Sequence, residues 1–162
     1  MKEIHARDIM VQDYGKIRPE ASVREAVRMI FQGKVRESGY KPFGILVIDE
    51  IDRLVGMVSM HDILYHLRPP YLNYAFDSFH VWEEDIDQHL AQFNDLKVEQ
   101  IMSAPVITVT PEVPLMTLVD LMVKKRARRL PVLEGEKVLG VVYLSDVFFH
   151  LCKSWLDASD ML

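Results

Sequence analysis

Cysteine occurs once in this chain, as Cys152, which rules out an internal disulfide framework and suits a reducing compartment. Long hydrophobic runs are also missing, since nothing approaches the roughly 20 apolar residues that cross a bilayer. The opening residues Met1-Lys2-Glu3-Ile4-His5 hold neither the apolar stretch nor the small-residue cleavage site of a secretory leader, so the expected location is cytoplasmic. Positive charge is in deficit: a formal net charge of −5 disfavours nucleic acid and anionic membranes as partners. A Gly-rich phosphate loop, a Ser-His-Asp arrangement and a reactive-cysteine setting are all lacking, so catalysis is not expected. With 49% hydrophobic and 27% charged residues, the 162-residue chain is globular rather than disordered. Its length fits one ordinary domain, or two small ones that share a core.

What the chain does contain is a pattern written twice. Ile9-Met10 recurs as Ile101-Met102, Pro19-Glu20 as Pro111-Glu112 and Val27 as Val119, each 92 residues on. Gly56 recurs as Gly140 and Asp62 as Asp146, each 84 residues on, so the first copy carries 8 additional residues before its glycine. Those residues fall in 33–42, which reads as a lengthened helix end and loop.

Each copy passes from helical to strand periodicity and back. In the second, Val106-Ile107-Thr108-Val109 reads as a short β-branched strand. Thr110-Pro111-Glu112-Val113-Pro114 opens a helix with Leu115, Leu118, Val119 and Met122 on one stripe. Leu130 to Leu133 and Val138 to Tyr143 form a strand pair about the turn Glu134 to Lys137, and a last helix starts near Ser145-Asp146. In the first copy a strand lies near Lys16-Ile17-Arg18, and Ser22 caps a helix buried through Val23, Val27 and Ile30. Gly44 to Ile48 and Arg53 to Ser59 are its strand pair, and a helix follows from His61. A unit of this size hides only about 60% of its surface, so two such units are expected to share one core. The fold class is therefore α+β: tandem βαββα repeats packed about a pseudo-twofold axis, with equivalent clefts between the copies. The divisions are 1–67, 68–97, 98–154 and a tail at 155–162.

The connection 68–97 is long and too aromatic for a flexible linker, with Tyr71, Tyr74, Phe76, Phe79 and Trp82. Trp82, Ile86, Leu90 and Phe93 form an amphipathic stripe behind an acidic start at Glu83, Glu84, Asp85 and Asp87. Such a helix either packs on its own domain or covers a partner surface. Elsewhere, Lys124, Lys125, Arg126, Arg128 and Arg129 crowd together, either as a solvated helix end or as a phosphate contact. His61-Asp62 resembles a metal phosphohydrolase pair, and Asp62/His66 and Asp146/His150 share helix faces. Two ligands do not close a metal site, so contacts between helices are the better reading and no metal is expected.

The paired I-M, P-E, strand-turn-strand-G and D pattern resembles the cystathionine-β-synthase (CBS) domain family, from about Ala6 to Leu67 and again from Val98 to His150. Its tandem pair is called a Bateman module. Gly56-Met57-Val58-Ser59-Met60-His61-Asp62 is similar to the family's nucleotide motif. The resemblance implies that Ser59 touches phosphate and Asp62 the ribose, a role suited to an acceptor-only carboxylate facing a cis-diol. The anion would also lie near a helix N-terminus. The alternative is that Asp62 and Asp146 merely cap helices, worth about 1 kcal/mol each. The second copy departs from the motif, with Tyr143 where Ser59 stands, either stacking on a base or plugging the cleft. The implied nucleotide-binding set is Ser59, Asp62, Asp146, Arg128, Arg129, Thr108 and Tyr143, with one nucleotide per chain at the first motif. AMP, ADP, ATP or S-adenosylmethionine is the implied ligand, and no cofactor is required. A regulatory homodimer signalling to a separate effector protein is implied, with a structural dimerisation module of unoccupied clefts as its rival. If the 68–97 segment builds the dimer, deleting residues 71–93 lowers the mass found by light scattering; an unchanged mass rejects that role.

Overall fold

A computed structural model describes residues 2–68 and 86–156. In chain order the elements are α1 (Ala6–Ile9), β1 (Lys16–Ile17), α2 (Val23–Phe31), β2 (Gly44–Ile48), β3 (Leu54–Ser59) and α3 (Met60–Leu67). Then come α4 (Ile86–Gln92), α5 (Val98–Ile101), α6 (Leu115–Lys125), β4 (Arg129–Glu134), β5 (Lys137–Tyr143) and α7 (Leu144–Cys152). The aromatic stretch Tyr71 to Trp82, the acidic residues Glu83 to Asp85 and the end of the tail lie outside the described residues.

The chain forms two compact units that cut across the sequence copies. One contains 15–33 and 43–105, the other 1–14, 34–42 and 106–162. In the first unit, β1 pairs parallel with β2, and β2 pairs antiparallel with β3. Ser22 caps α2 by accepting from the Glu25 amide at 3.1 Å, and Val23, Ala26 and Ile30 turn into the core. Phe93, just past α4, is buried in the same core, whereas Ile86 and Leu90 on α4 are exposed. The stripe in the connecting segment is therefore anchored on its own unit at Phe93.

In the second unit, β4 and β5 form an antiparallel pair whose turn passes through Gly135 at φ 61°, a left-handed conformation that glycine adopts without a Cβ clash. The strand expected at Val106–Val109 is reduced to one parallel bridge, Val109 to Val132. Val109 alone of these β-branched residues is fully buried, so only its backbone is drawn into the ladder. Leu118 and Met122 of α6 cover this sheet. Buried apolar residues fall into two clusters, one in each unit.

Each unit exceeds its sequence copy because a stretch belonging to the other copy completes it. In the first unit, Ser103, just after α5, pairs with Met57 of β3 through reciprocal backbone bonds of 3.0 and 2.8 Å. In the second, Val11, just after α1, pairs with Val141 of β5 through bonds of 2.8 and 3.0 Å. Both crossings pass over a glycine. A Cβ on Gly56 would sit 2.5 Å from the Met102 sulfur, and one on Gly140 would sit 2.8 Å from the Val11 carbonyl oxygen. The repeated Ile-Met and Gly signals are therefore two halves of one contact. Among the described residues no helix is long and apolar enough to cross a membrane.

Gly140→Ala meets backbone, whereas Gly56→Ala first meets a flexible methionine side chain. Gly140→Ala is expected to cost about 1–3 kcal/mol in urea denaturation and Gly56→Ala less. The reverse order would contradict the crossing described above.

Candidate functional site

The duplicated motif places a carboxylate at the third position of the helix after each strand pair. The two carboxylates have different partners. Ser59, not Asp62, is the N-cap of α3, and Asp62 is the third helical residue of a capping box. The Asp62 amide donates to Ser59 Oγ at 3.3 Å, and Asp62 Oδ2 accepts from the Ser59 amide and hydroxyl, both at 2.8 Å. Its other oxygen accepts from Ser103 Oγ at 2.6 Å. Ser103 is exposed and Ser59 and Asp62 are half-buried, so this group lies at the surface of its unit.

In the second unit Tyr143 is the N-cap of α7, and its side chain makes no capping bond. Asp146, again the third helical residue and not the cap, is held by the segment 34–42. Arg36 Nε donates to Asp146 Oδ2 at 2.8 Å and to Oδ1 at 3.1 Å, and Ser38 Oγ donates to Oδ1 at 2.6 Å. Another Arg36 nitrogen donates to Ser145 Oγ at 3.0 Å, and the guanidinium lies 3.9 Å from the centre of the Tyr143 ring. Arg36 and Asp146 keep only 11% and 15% side-chain exposure, so this charge-assisted contact is shielded from solvent. A cavity of ≈ 240 Å³ opens beside it, lined in part by Asp8, Met10, Arg36, Asp146, His150 and Lys153.

Of the remaining sequence-derived candidates, Arg129 stands across the β4–β5 ladder from Tyr143. Arg128 is exposed, and its carbonyl accepts the Leu144 amide at the start of α7. Thr108 is exposed beside the single bridge at Val109. Ser59 with Asp62 thus belong to one unit, and Tyr143, Asp146, Arg128, Arg129 and Thr108 to the other. Burial holds the Tyr143 hydroxyl above its ordinary pKa of 10.0, against the opposing pull of the Arg36 and Arg129 charges. Sequence reasoning missed Arg36, Ser38 and Ser103. Ser103 directly follows Ile101-Met102, in the place that Val11 holds after Ile9-Met10, and that difference between the copies was the available signal; Arg36 and Ser38 lie in the residues that have no repeat counterpart. His66 Nδ1 lies 2.8 Å from the Asp62 carbonyl oxygen, and His61 stacks on Tyr65. Among the described residues no three His, Cys, Asp or Glu side chains gather as a metal site.

The CBS domain family model matches residues 6–69 and 98–153. A homoserine O-acetyltransferase from Methanohalobium evestigatum is 24% identical over 91% of this chain. The chain spans 29% and 24% of the length of two curated relatives that it matches. Among solved structures, a CBS domain-containing protein of unknown function from Bacillus anthracis superposes with TM-score 0.70 at 18% identity, covering 93% of this chain and 94% of that one. CBSX2, crystallised in complex with AMP, superposes with TM-score 0.67 at 21% identity, covering 94% and 98%.

Ser59→Ala removes the cap and is expected to cost about 1 kcal/mol in urea denaturation, with no change meaning that the capping box contributes nothing. Tyr143 titrates above its unfolded value, so the unfolded chain loses its proton first. Stability is therefore full below about pH 10 and falls as pH rises through the folded value. Tyr143→Phe should show a shallower alkaline decline in urea midpoints, and parallel declines would refute the assignment.

Proposed function

The chain belongs to the CBS domain family, and on that footing we propose that it is a regulatory module that binds an adenine nucleotide through the Asp62 motif and signals to a separate partner protein. The observation that carries this is the Asp62 carboxylate, held at a strand–helix junction by two hydroxyl donors, Ser59 and Ser103. A ribose cis-diol supplies the same two donors, so a nucleoside can replace them without leaving the acceptor unpaired. Ser59, once released, is free to donate to a phosphate oxygen beside the positive end of α3. AMP, ADP, ATP and S-adenosylmethionine all carry the required sugar. The AMP complex of CBSX2 supports this ligand class.

Ser59 and Asp62 are engaged with each other in a capping box and His61 stacks on Tyr65, which suits the proposed role of sensing rather than catalysis. Acting as a cytoplasmic homodimer, the module would pass on the signal because ligand favours one arrangement over another. A structural dimerisation role with unoccupied clefts is the second reading, favoured by the Asp146 carboxylate already being held by Arg36 and Ser38.

A thermal-shift panel of the four ligands is expected to raise the melting temperature with at least one of them. Asp62→Asn keeps size and one acceptor oxygen but loses the charge and the second acceptor. It is expected to weaken binding by at least about tenfold in calorimetry, since a charged hydrogen bond contributes about 1.5–3 kcal/mol. Undiminished binding would defeat the Asp62 assignment. The absence of any shift would favour the dimerisation reading.

A further inference from the structure

We infer that residues 34–42 form a built-in arm that competes with nucleotide for the Asp146 carboxylate, so that the second motif is closed until the arm is displaced. The inference rests on the reading that the duplicated motif binds an adenine nucleotide, and it concerns regulation of the copy that this reading leaves empty.

The arm is the part of the chain where the first copy is longer than the second, so the asymmetry begins in the sequence. It is a closed turn: the Arg36 amide donates to the Tyr40 carbonyl at 3.0 Å, and Gly39 donates back to Arg36 at 2.9 Å. Gly39 adopts φ 88°, which a side chain would strain. Lys34 ties the start of the arm to Asp13 at 2.7 Å. The turn presents Arg36 and Ser38 together to Asp146.

What they present resembles a nucleoside. The Ser38 hydroxyl donates to Asp146 Oδ1 at 2.6 Å, as a ribose hydroxyl would. The planar Arg36 guanidinium lies over the Tyr143 ring at 3.9 Å, where a base could stack. A carboxylate has about four acceptor positions. Three are taken by bonds from Arg36 and Ser38, so a cis-diol cannot be accommodated while the arm is seated. Asp62 differs because its hydroxyl donors are neutral serines.

The seat is also imperfect. One terminal nitrogen of Arg36 is buried without a hydrogen-bond partner. A buried unpaired donor opposes the contact, and leaving the seat relieves it. A seated arm lowers the apparent affinity of the second motif by the fraction of molecules in which it is open. The protein would then respond at two concentrations of one ligand, first through Asp62 and later, once the arm yields, through Asp146.

The test is calorimetric titration of the full chain with AMP and with ATP. Wild type is expected to bind one equivalent, weakened at least about tenfold by Asp62→Asn. The double variant Arg36→Ala/Ser38→Ala is expected to bind a second equivalent roughly tenfold or more tighter than any second event in wild type. Adding Asp146→Asn should remove that gain. Should the double variant fail to fold by circular dichroism, Ser38→Ala alone takes its place and should give a smaller gain in the same direction. One equivalent at Asp62 with no gain on releasing the arm overturns the inference and leaves the Asp62 reading standing. No binding by wild type, with one Asp146-dependent equivalent in the double variant, overturns the Asp62 reading and supports the arm. An equal second site in wild type and variant overturns the arm, and no binding in any variant overturns both.

Discussion

The fold depends on a short antiparallel crossing over a glycine, made once in each unit. Backbone can approach backbone this closely only where no Cβ intervenes, and Gly56 and Gly140 supply those gaps. The Met57–Ser103 and Val11–Val141 bridges then extend β3 and β5 with residues from the other sequence copy. Both ladders shift register where the glycine lies opposite its partner, at Val47/Ile48 and at Val132/Leu133. The crossing is therefore duplicated along with the local irregularity that lets it fit.

This crossing also decides how each motif carboxylate is satisfied. Pairing to Met57 brings Ser103 within 2.6 Å of Asp62. The residue in the same place in the other unit is Val11, which has no hydroxyl, and the N-cap there is Tyr143, which makes no capping bond. Asp146 thus lacks both donors that serve Asp62, and the arm supplies replacements. Two unlike sites thus stand on one duplicated scaffold through a few differences: valine against serine, tyrosine against serine, and a longer loop.

Much of this was legible in the sequence. The helix stripes at Val23/Ile30 and Leu118/Met122 and the cap at Ser22 follow from local periodicity and capping chemistry, which need no tertiary information. The strand at Val106–Val109 was overestimated because β-branched composition says nothing about whether a neighbouring strand offers it hydrogen bonds. The alternative reading of the two aspartates as caps misses the residue three places earlier, Ser59 or Tyr143, which is the N-cap in each unit. Arg36 was illegible for a different reason: it bonds a residue 110 positions away. The repeat, which guided every other pairing, has no counterpart for it.

The exchange of stretches also orders the chain in time. The unit containing β1–β3 is built from residues 15 to 105 apart from the arm, so all its parts exist before the second sheet has been synthesised. Val11 must await Val141, which closes one of the longest loops in the molecule. Loop closure of that span is entropically costly and raises contact order, the property that slows folding. Val11 thus finds its partner only across a long stretch of chain, and the sheet beside Asp146 is completed by the closure of that loop.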